Sequence, residues 1–193
     1  MKKVFSLVLI FAFVLCLCSC KEKKSNDPSP YISGYLDALK ANDTEGLAKY
    51  GSSKTDLGID GLHLRYKGGI EAILSHLEHK ILSFTLNTDG VSATAEVEIT
   101  TVDIFHAMAA YMANAKKMFD EGEGLFTDDD YAAVFVDAVN AETATRTFNV
   151  TVTAVRKGND WVLRTDNEHL LNAVTGGLLE FYDSIEDDED IFF

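Results

Sequence analysis

The strongest constraint on the fold lies between residues 80 and 100. Leu82, Phe84 and Leu86 alternate with polar neighbours, Asp89-Gly90 follows, and Val91, Ala93, Ala95, Val97 and Ile99 then alternate with Ser92, Thr94, Glu96, Glu98 and Thr100. Alternation with a period of two marks a strand with one buried face, and Asp-Gly favours the left-handed backbone of a tight hairpin turn. A two-residue Asp89-Gly90 loop pairs Leu86 with Ala93, Phe84 with Ala95 and Leu82 with Val97. Every apolar side chain then falls on one face, whereas a one-residue slip would turn one strand's set into water. Something else in the chain must cover that face.

Helical stripes supply the cover. Ile32, Tyr35, Leu36 and Leu39 recur at i, i+3, i+4 and i+7, and Pro30 suits a first helical turn. Asp43 or Thr44 caps a second short helix through Leu47 and Tyr50. Residues 51–69 are glycine-rich and read as a connection that packs Leu57, Ile59, Leu62 and Leu64 inward. Ile70, Ile73, Leu74 and Leu77 repeat the stripe. After the hairpin, Phe105, Met108, Met112, Ala115 and Phe119 predict a helical excursion closed by residues 121–124. Thr127 with Asp128, Asp129 and Asp130 is an N-cap with acids in the first turn, followed by Tyr131, Val134, Phe135 and Ala138 on one side.

A second hairpin follows. Phe148, Val150, Val152 and Ala154 alternate with threonine-rich neighbours, Gly158-Asn159 turns the chain, and Trp161 and Leu163 return on the face of Ala154. Asp166 or Asn167 caps a last helix carrying Leu171, Val174, Leu178 and Phe181. Gly176-Gly177 inside it costs ~1 kcal/mol per glycine, which predicts a bend or close packing. Residues 183–190 are strongly acidic and read as an unstructured tail. The fold class is therefore α+β: a curved antiparallel sheet packed against N-terminal helices, with a helical insertion and a C-terminal helix. One domain spans 31–182, and an acidic tail spans 183–193.

The N-terminus carries an address. Met1-Lys2-Lys3 is cationic and residues 4–17 are apolar except for Ser6, the two regions of an export signal. The run falls short of the roughly 20 apolar residues of a membrane span before Lys21-Glu22-Lys23-Lys24 interrupts it. Leu17-Cys18-Ser19-Cys20 resembles the bacterial lipobox. The resemblance implies a lipid on the Cys20 sulfur, cleavage that makes Cys20 the first residue, and a signal peptide of residues 1–19. Residues 20–30 become a tether holding both prolines of the chain, Pro28 and Pro30. All three cysteines, Cys16, Cys18 and Cys20, fall in this segment, so the domain beyond it must be held by its core and has no thiol chemistry. Several acyl chains exceed what stable anchoring requires. Localisation follows: exported and tethered to a membrane through Cys20. Loss of Lys2 and Lys3 moves the formal charge from −14 to −16, which argues against nucleic acid as a partner.

Two stretches carry a second resemblance: residues 31–47, a helix, a polar break and a second helix, and Lys157-Gly158-Asn159-Asp160 before Trp161-Val162-Leu163. Together they resemble the nuclear-transport-factor-2-like (cystatin-like) superfamily, and the closest likeness is to exported lipoproteins with such a domain. The resemblance covers most of residues 31–165 and implies a cone-like sheet around an apolar pocket. Enzymes of that superfamily use Asp, Tyr or His there. No catalytic position of theirs maps onto this chain, so no catalytic residue is assigned. The pocket candidates are polar groups near predicted core faces: Tyr35, Tyr66, His76, His106, Arg146 and Trp161. Arg146 shares the parity of Phe148 and Val150, so it either faces inward or snorkels to the surface.

Other chemistries find little support. His76 and His79 with Glu78 or Asp103 lack a His-Glu-x-x-His pattern, and the Asp128 run lacks calcium-loop spacing. There is no Gly-x-Ser-x-Gly elbow, and Gly68-Gly69 lacks a phosphate loop's lysine. No metal or cofactor is expected. Thr145, Thr147, Thr151 and Thr153, with Thr94, Glu96 and Glu98, form a polar sheet face that offers a homodimer surface. The leading expectation is a ligand-binding or protein-interaction module without enzymatic activity. The alternative is a small-molecule isomerase, dehydratase or hydrolase using polar groups in the cone. A spacer that only positions other proteins is the third reading.

Overall fold

A computed structural model describes residues 26–52, 68–122 and 126–186. Cys20, Tyr66, most of the 51–69 connection and the end of the acidic tail lie outside the described residues. Among those described, seven helices and one four-stranded antiparallel sheet form a mixed α+β domain. In chain order these are α1 (Ser29–Lys40), α2 (Thr44–Tyr50), α3 (Gly69–Ser75), β1 (Glu78–Leu86), β2 (Ser92–Val102), α4 (Ile104–Glu121), α5 (Asp128–Ala141), β3 (Thr145–Lys157), β4 (Asp160–Leu163), α6 (Glu168–Val174) and α7 (Leu178–Glu186). The strands lie in sequence order, β1-β2-β3-β4, and the sheet does not close.

The helix starts follow their capping chemistry. The Asp43 carboxylate accepts from the amides of Glu45 and Gly46 at the head of α2, and Asn167 accepts from Leu170 at the head of α6. Thr127 and Asp130 exchange side-chain and backbone bonds in a capping box on α5. Thr127→Ala is expected to lower stability by about 1 kcal/mol, read from urea unfolding. An unchanged midpoint would mean that α5 does not depend on its cap.

The first hairpin keeps the expected register next to its turn, with Leu86 opposite Ala93 and Phe84 opposite Ala95. The loop is wider than two residues: the Asn87 amide donates to the Ser92 carbonyl, and the Asp89 carboxylate gathers the amides of Val91 and Ser92. Further along, the register shifts between Ile81 and Ser83, so Ile81, not Leu82, faces Val97. Leu82 is the extra residue and stays 45 % exposed. A bulge of this kind on an edge strand, beside Lys80, discourages other strands from adding to that edge. Phe84 and Leu86 keep the parity of Ala95 and Ala93 yet remain 39 % and 41 % exposed.

The inner face of the central strands is fully covered. Ala93, Ala95, Val97 and Ile99 of β2 and Val150, Val152 and Ala154 of β3 pack with Ile32, Tyr35, Leu36 and Leu39 of α1 and with Leu170, Leu171, Ala173 and Val174 of α6. A second core joins α3, α4, α5 and α7 through Ile73, Ile104, Phe135, Val139, Leu178 and Phe181. The helical excursion therefore builds its own layer at the far end of β2.

The single last helix expected from the stripe is two. Gly176 and Gly177 both take left-handed backbone, with φ of 70° and 91°, and break the chain between α6 and α7. A Cβ on Gly176 would sit 2.2 Å from the Val102 carbonyl oxygen, and the Gly176 carbonyl accepts from the Ile104 amide. Close packing and the bend are the same feature. The acidic stretch also differs from expectation at its start, because residues 183–186 belong to α7.

Candidate functional site

The inner face of the sheet is where an apolar cone would open, and α1 and α6 fill it. Of the candidates, Tyr35 and Trp161 belong to one buried cluster. Tyr35 and Trp161 are core side chains, at 1 % and 0 % exposure. His76 caps the end of α3, and His106 is exposed in the first turn of α4. Arg146 does lie on the Phe148 face, as its parity requires, but it snorkels. Its guanidinium stacks over Phe148 and Phe105, with ring centroids 4.8 and 5.8 Å away, and donates to Glu180 at 2.6 Å. Asn172 holds the other Glu180 oxygen and accepts from the Leu179 and Glu180 amides. The pair thus braces the α6–α7 corner.

His79 is turned toward α1, its Nδ1 3.9 Å from the Asp37 carboxylate. Burial pushes the imidazole below its ordinary value; Asp37 pulls the other way and Lys40 adds to the depression. Burial outweighs the carboxylate because Asp37 is well exposed and its charge is screened. A depressed folded-state value means that the unfolded chain takes up this proton first. Stability from His79 is complete above the unfolded value of about 6.5 and is lost as pH falls through the folded one. His79→Gln is expected to flatten unfolding stability between about pH 7 and 5. An unchanged slope in urea titrations across that window would contradict it. Among the described residues no three His, Cys, Asp or Glu side chains gather as a metal site.

Among the described residues a concave site lies elsewhere, at the start of α1. Pro30 and Tyr31 of α1, Lys49 and Tyr50 of α2, and Asp160 of β4 line a cavity of about 430 Å³. Three separate elements bring them together. Gly34, inside α1, lets the Tyr50 ring lie flat on that helix: a Cβ there would meet the ring at 2.8 Å. The Tyr31 and Tyr50 rings then stand edge to face, 6.4 Å between centroids. Gly51, just past α2, bridges to Leu163, and the Ser52 amide donates to the Leu163 carbonyl, fixing α2 beside β4. The turn Gly158-Asn159 delivers Asp160 opposite Lys157 in the expected register.

The charges in the cavity are held in place. The Tyr31 hydroxyl donates to Asp160 at 2.9 Å, and the Lys49 ammonium donates to the Tyr50 hydroxyl at 3.0 Å while lying over that ring. The Tyr50 hydroxyl keeps the Lys49 pKa above its ordinary value, with a smaller contribution from Asp160. Lys49 thus brings a basic side chain to the cavity and Asp160 an acidic one. Behind them, Arg156 stacks 4.3 Å from the Trp161 ring centroid and donates to Asn26 at 2.8 Å. Residue 26 is thereby tied to the β3–β4 hairpin, next to the cavity.

Of the five lining residues, the sequence pattern marked Pro30 as a helix start and Tyr50 as part of the second helix, but as a binding site it marked none; Tyr31 and Tyr50 are half-buried against the core and Lys49 is exposed. Trp161 marked the right hairpin, one residue from Asp160. The outer face of the sheet is a second surface. Thr94 faces Thr153, Glu96 faces Thr151 and Thr100 faces Thr147, with side-chain bonds of 2.8 Å in the latter two pairs. Thr145, Thr147, Asn149 and Thr151 are exposed along β3. Compared with protein-family models, with curated proteins and with solved structures, the chain has no match.

Proposed function

We propose that this chain is an exported lipoprotein, tethered to a bacterial membrane through Cys20, whose domain binds a small ligand between Tyr31, Lys49, Tyr50 and Asp160. The observation that carries the binding reading is the cavity's construction: each opposite charge is anchored by a tyrosine hydroxyl, and a helical glycine seats one of the rings. Such groups are ordered before a ligand arrives, which lowers the cost of binding. The domain is read as a variant of the nuclear-transport-factor-2-like arrangement. In it α6 fills the inner face and the binding site moves to the junction of α1, α2 and β4.

The address is tested apart from the cavity. The full chain expressed in a bacterial host is expected in the membrane fraction, with an intact mass lacking residues 1–19 and carrying a diacylglyceryl group. Cys20→Ala is expected to abolish the lipid mass. A wild-type chain of full translated mass would overturn the anchor.

The uncovered threonine ladder supports a second reading, self-association through the outer face of β2 and β3. A dimer mass by light scattering, reduced to a monomer by Thr147→Arg with Thr151→Arg, is its expected result. A wild-type monomer at high concentration would remove it.

A further inference from the structure

The ligand's chemistry can be read from the same cavity, and the following rests on the binding reading above. We propose that the cavity takes a compact zwitterion, one carrying an ammonium and a phosphate or carboxylate a few bonds apart.

Both halves of such a ligand have a partner. Lys49 presents an ammonium with donors left beyond the one given to Tyr50, and Asp160 presents acceptor positions beyond the one used by Tyr31. Opposite charges lining one cavity would ordinarily pair with each other. Here each is held by a tyrosine, and the two line one cavity without bridging it. A ligand of a single sign would meet one attractive and one repulsive group. A neutral ligand would strip water from both charges without replacing it. A zwitterion with its anion on Lys49 and its ammonium on Asp160 meets both. Pro30 and the rings supply an apolar wall for the carbons between the charges.

The position of the cavity fits this chemistry. Pro30 is ten residues from Cys20, and a chain extended at about 3.3 Å per residue spans no more than roughly 33 Å over that distance. With Asn26 bonded to Arg156, the length of chain between Cys20 and the described domain is shorter still. An anchored domain would hold the cavity close to the headgroup layer. Two sources therefore offer the same chemistry: an ethanolamine phospholipid headgroup, or a free zwitterion such as phosphoethanolamine or an α-amino acid.

The test is titration calorimetry on the full chain solubilised in a detergent without charged groups. The probes are O-phosphoethanolamine, glycine, inorganic phosphate and ethanolamine, followed by vesicles of phosphatidylcholine with and without phosphatidylethanolamine. Either zwitterion is expected to bind at least tenfold tighter than phosphate or ethanolamine. Lys49→Met and Asp160→Asn are each expected to remove that preference. Gly34→Ala keeps both charges but pushes the Tyr50 ring aside; it is expected to lose binding while circular dichroism and melting remain those of a folded domain. Binding to ethanolamine vesicles alone would assign the lipid source, and binding to the soluble compounds would assign the free one. Equal affinity for phosphate and phosphoethanolamine would overturn the zwitterion while leaving a binding site. No heat with any probe, together with no retained mass in the native protein, would overturn both.

Discussion

Gly176→Ala is expected to be among the most damaging single-methyl additions in the described domain. The residue holds φ at 70°, a conformation that costs an L residue about 1–2 kcal/mol. Its new Cβ would also lie 2.2 Å from the Val102 carbonyl oxygen. That oxygen is backbone at the end of the central strand β2, so it cannot swing away as a side chain would. Adding overpacking of about 1–3 kcal/mol gives a loss of roughly 3 kcal/mol, or a Tm lower by roughly 6–12 °C. Gly177→Ala is the comparison. Its Cβ would meet the Arg146 guanidinium at 2.6 Å, a long side chain that can move at the cost of its bond to Glu180. It is expected to lose about half as much. Equal and small losses at both sites, by thermal and urea unfolding, would mean that the α6–α7 corner is not fixed against β2.

Trp161→Ala is expected to cost about 3–5 kcal/mol. The indole is fully buried in the core shared by α1, β2, β3 and α6, and the Arg156 guanidinium rests on it. Truncation leaves a cavity at the base of β4, and the adjacent Asp160 loses the rigid support that places it against Tyr31. The effect should therefore appear twice: in the urea midpoint, and in ligand binding by whatever molecules remain folded. Trp161→Phe refills most of the volume and should recover the larger part of both. A Trp161→Ala protein with a lowered midpoint and unimpaired binding would separate β4 packing from the cavity.

The contrast between these two positions shows what the sequence made legible. Period-two alternation placed Trp161 on the face of Ala154, and the glycine pair signalled disruption, because burial and backbone freedom leave local marks. Capping was visible to within a residue, since caps act within one turn of themselves: Thr127 was marked outright, and the structure chose Asp43 over Thr44 and Asn167 over Asp166. The bulge at Leu82 was not: an extra residue changes no alternation until its partner strand is known, and both Ile81 and Leu82 are apolar. The split of the last helix was half visible, since two glycines predict a break but not that the Val102 carbonyl fills the space.

The site was the least legible part. Periodicity separates inside from outside, and it points to polar groups on inward faces, where a cone would have its pocket. α6 closed that space with Leu170, Leu171 and Val174. The cavity formed instead at the edge of the core, from half-buried Tyr31 and Tyr50 with exposed Pro30, Lys49 and Asp160 on three elements. Tyr31 and Asp160 are 129 positions apart in sequence, and nothing local to either one signals the other. Gly34 was the available clue: a glycine inside a stable helical stripe has a reason, and here the reason is the Tyr50 ring.

The most direct test of the account is a native mass spectrum of the full chain extracted from its host membrane, with Gly34→Ala measured beside it. A retained small zwitterion on the wild-type protein, absent from the variant, is the predicted result. Identical spectra without added mass, from two proteins that both bind nothing on titration, would contradict the claim that this domain is a ligand-binding module.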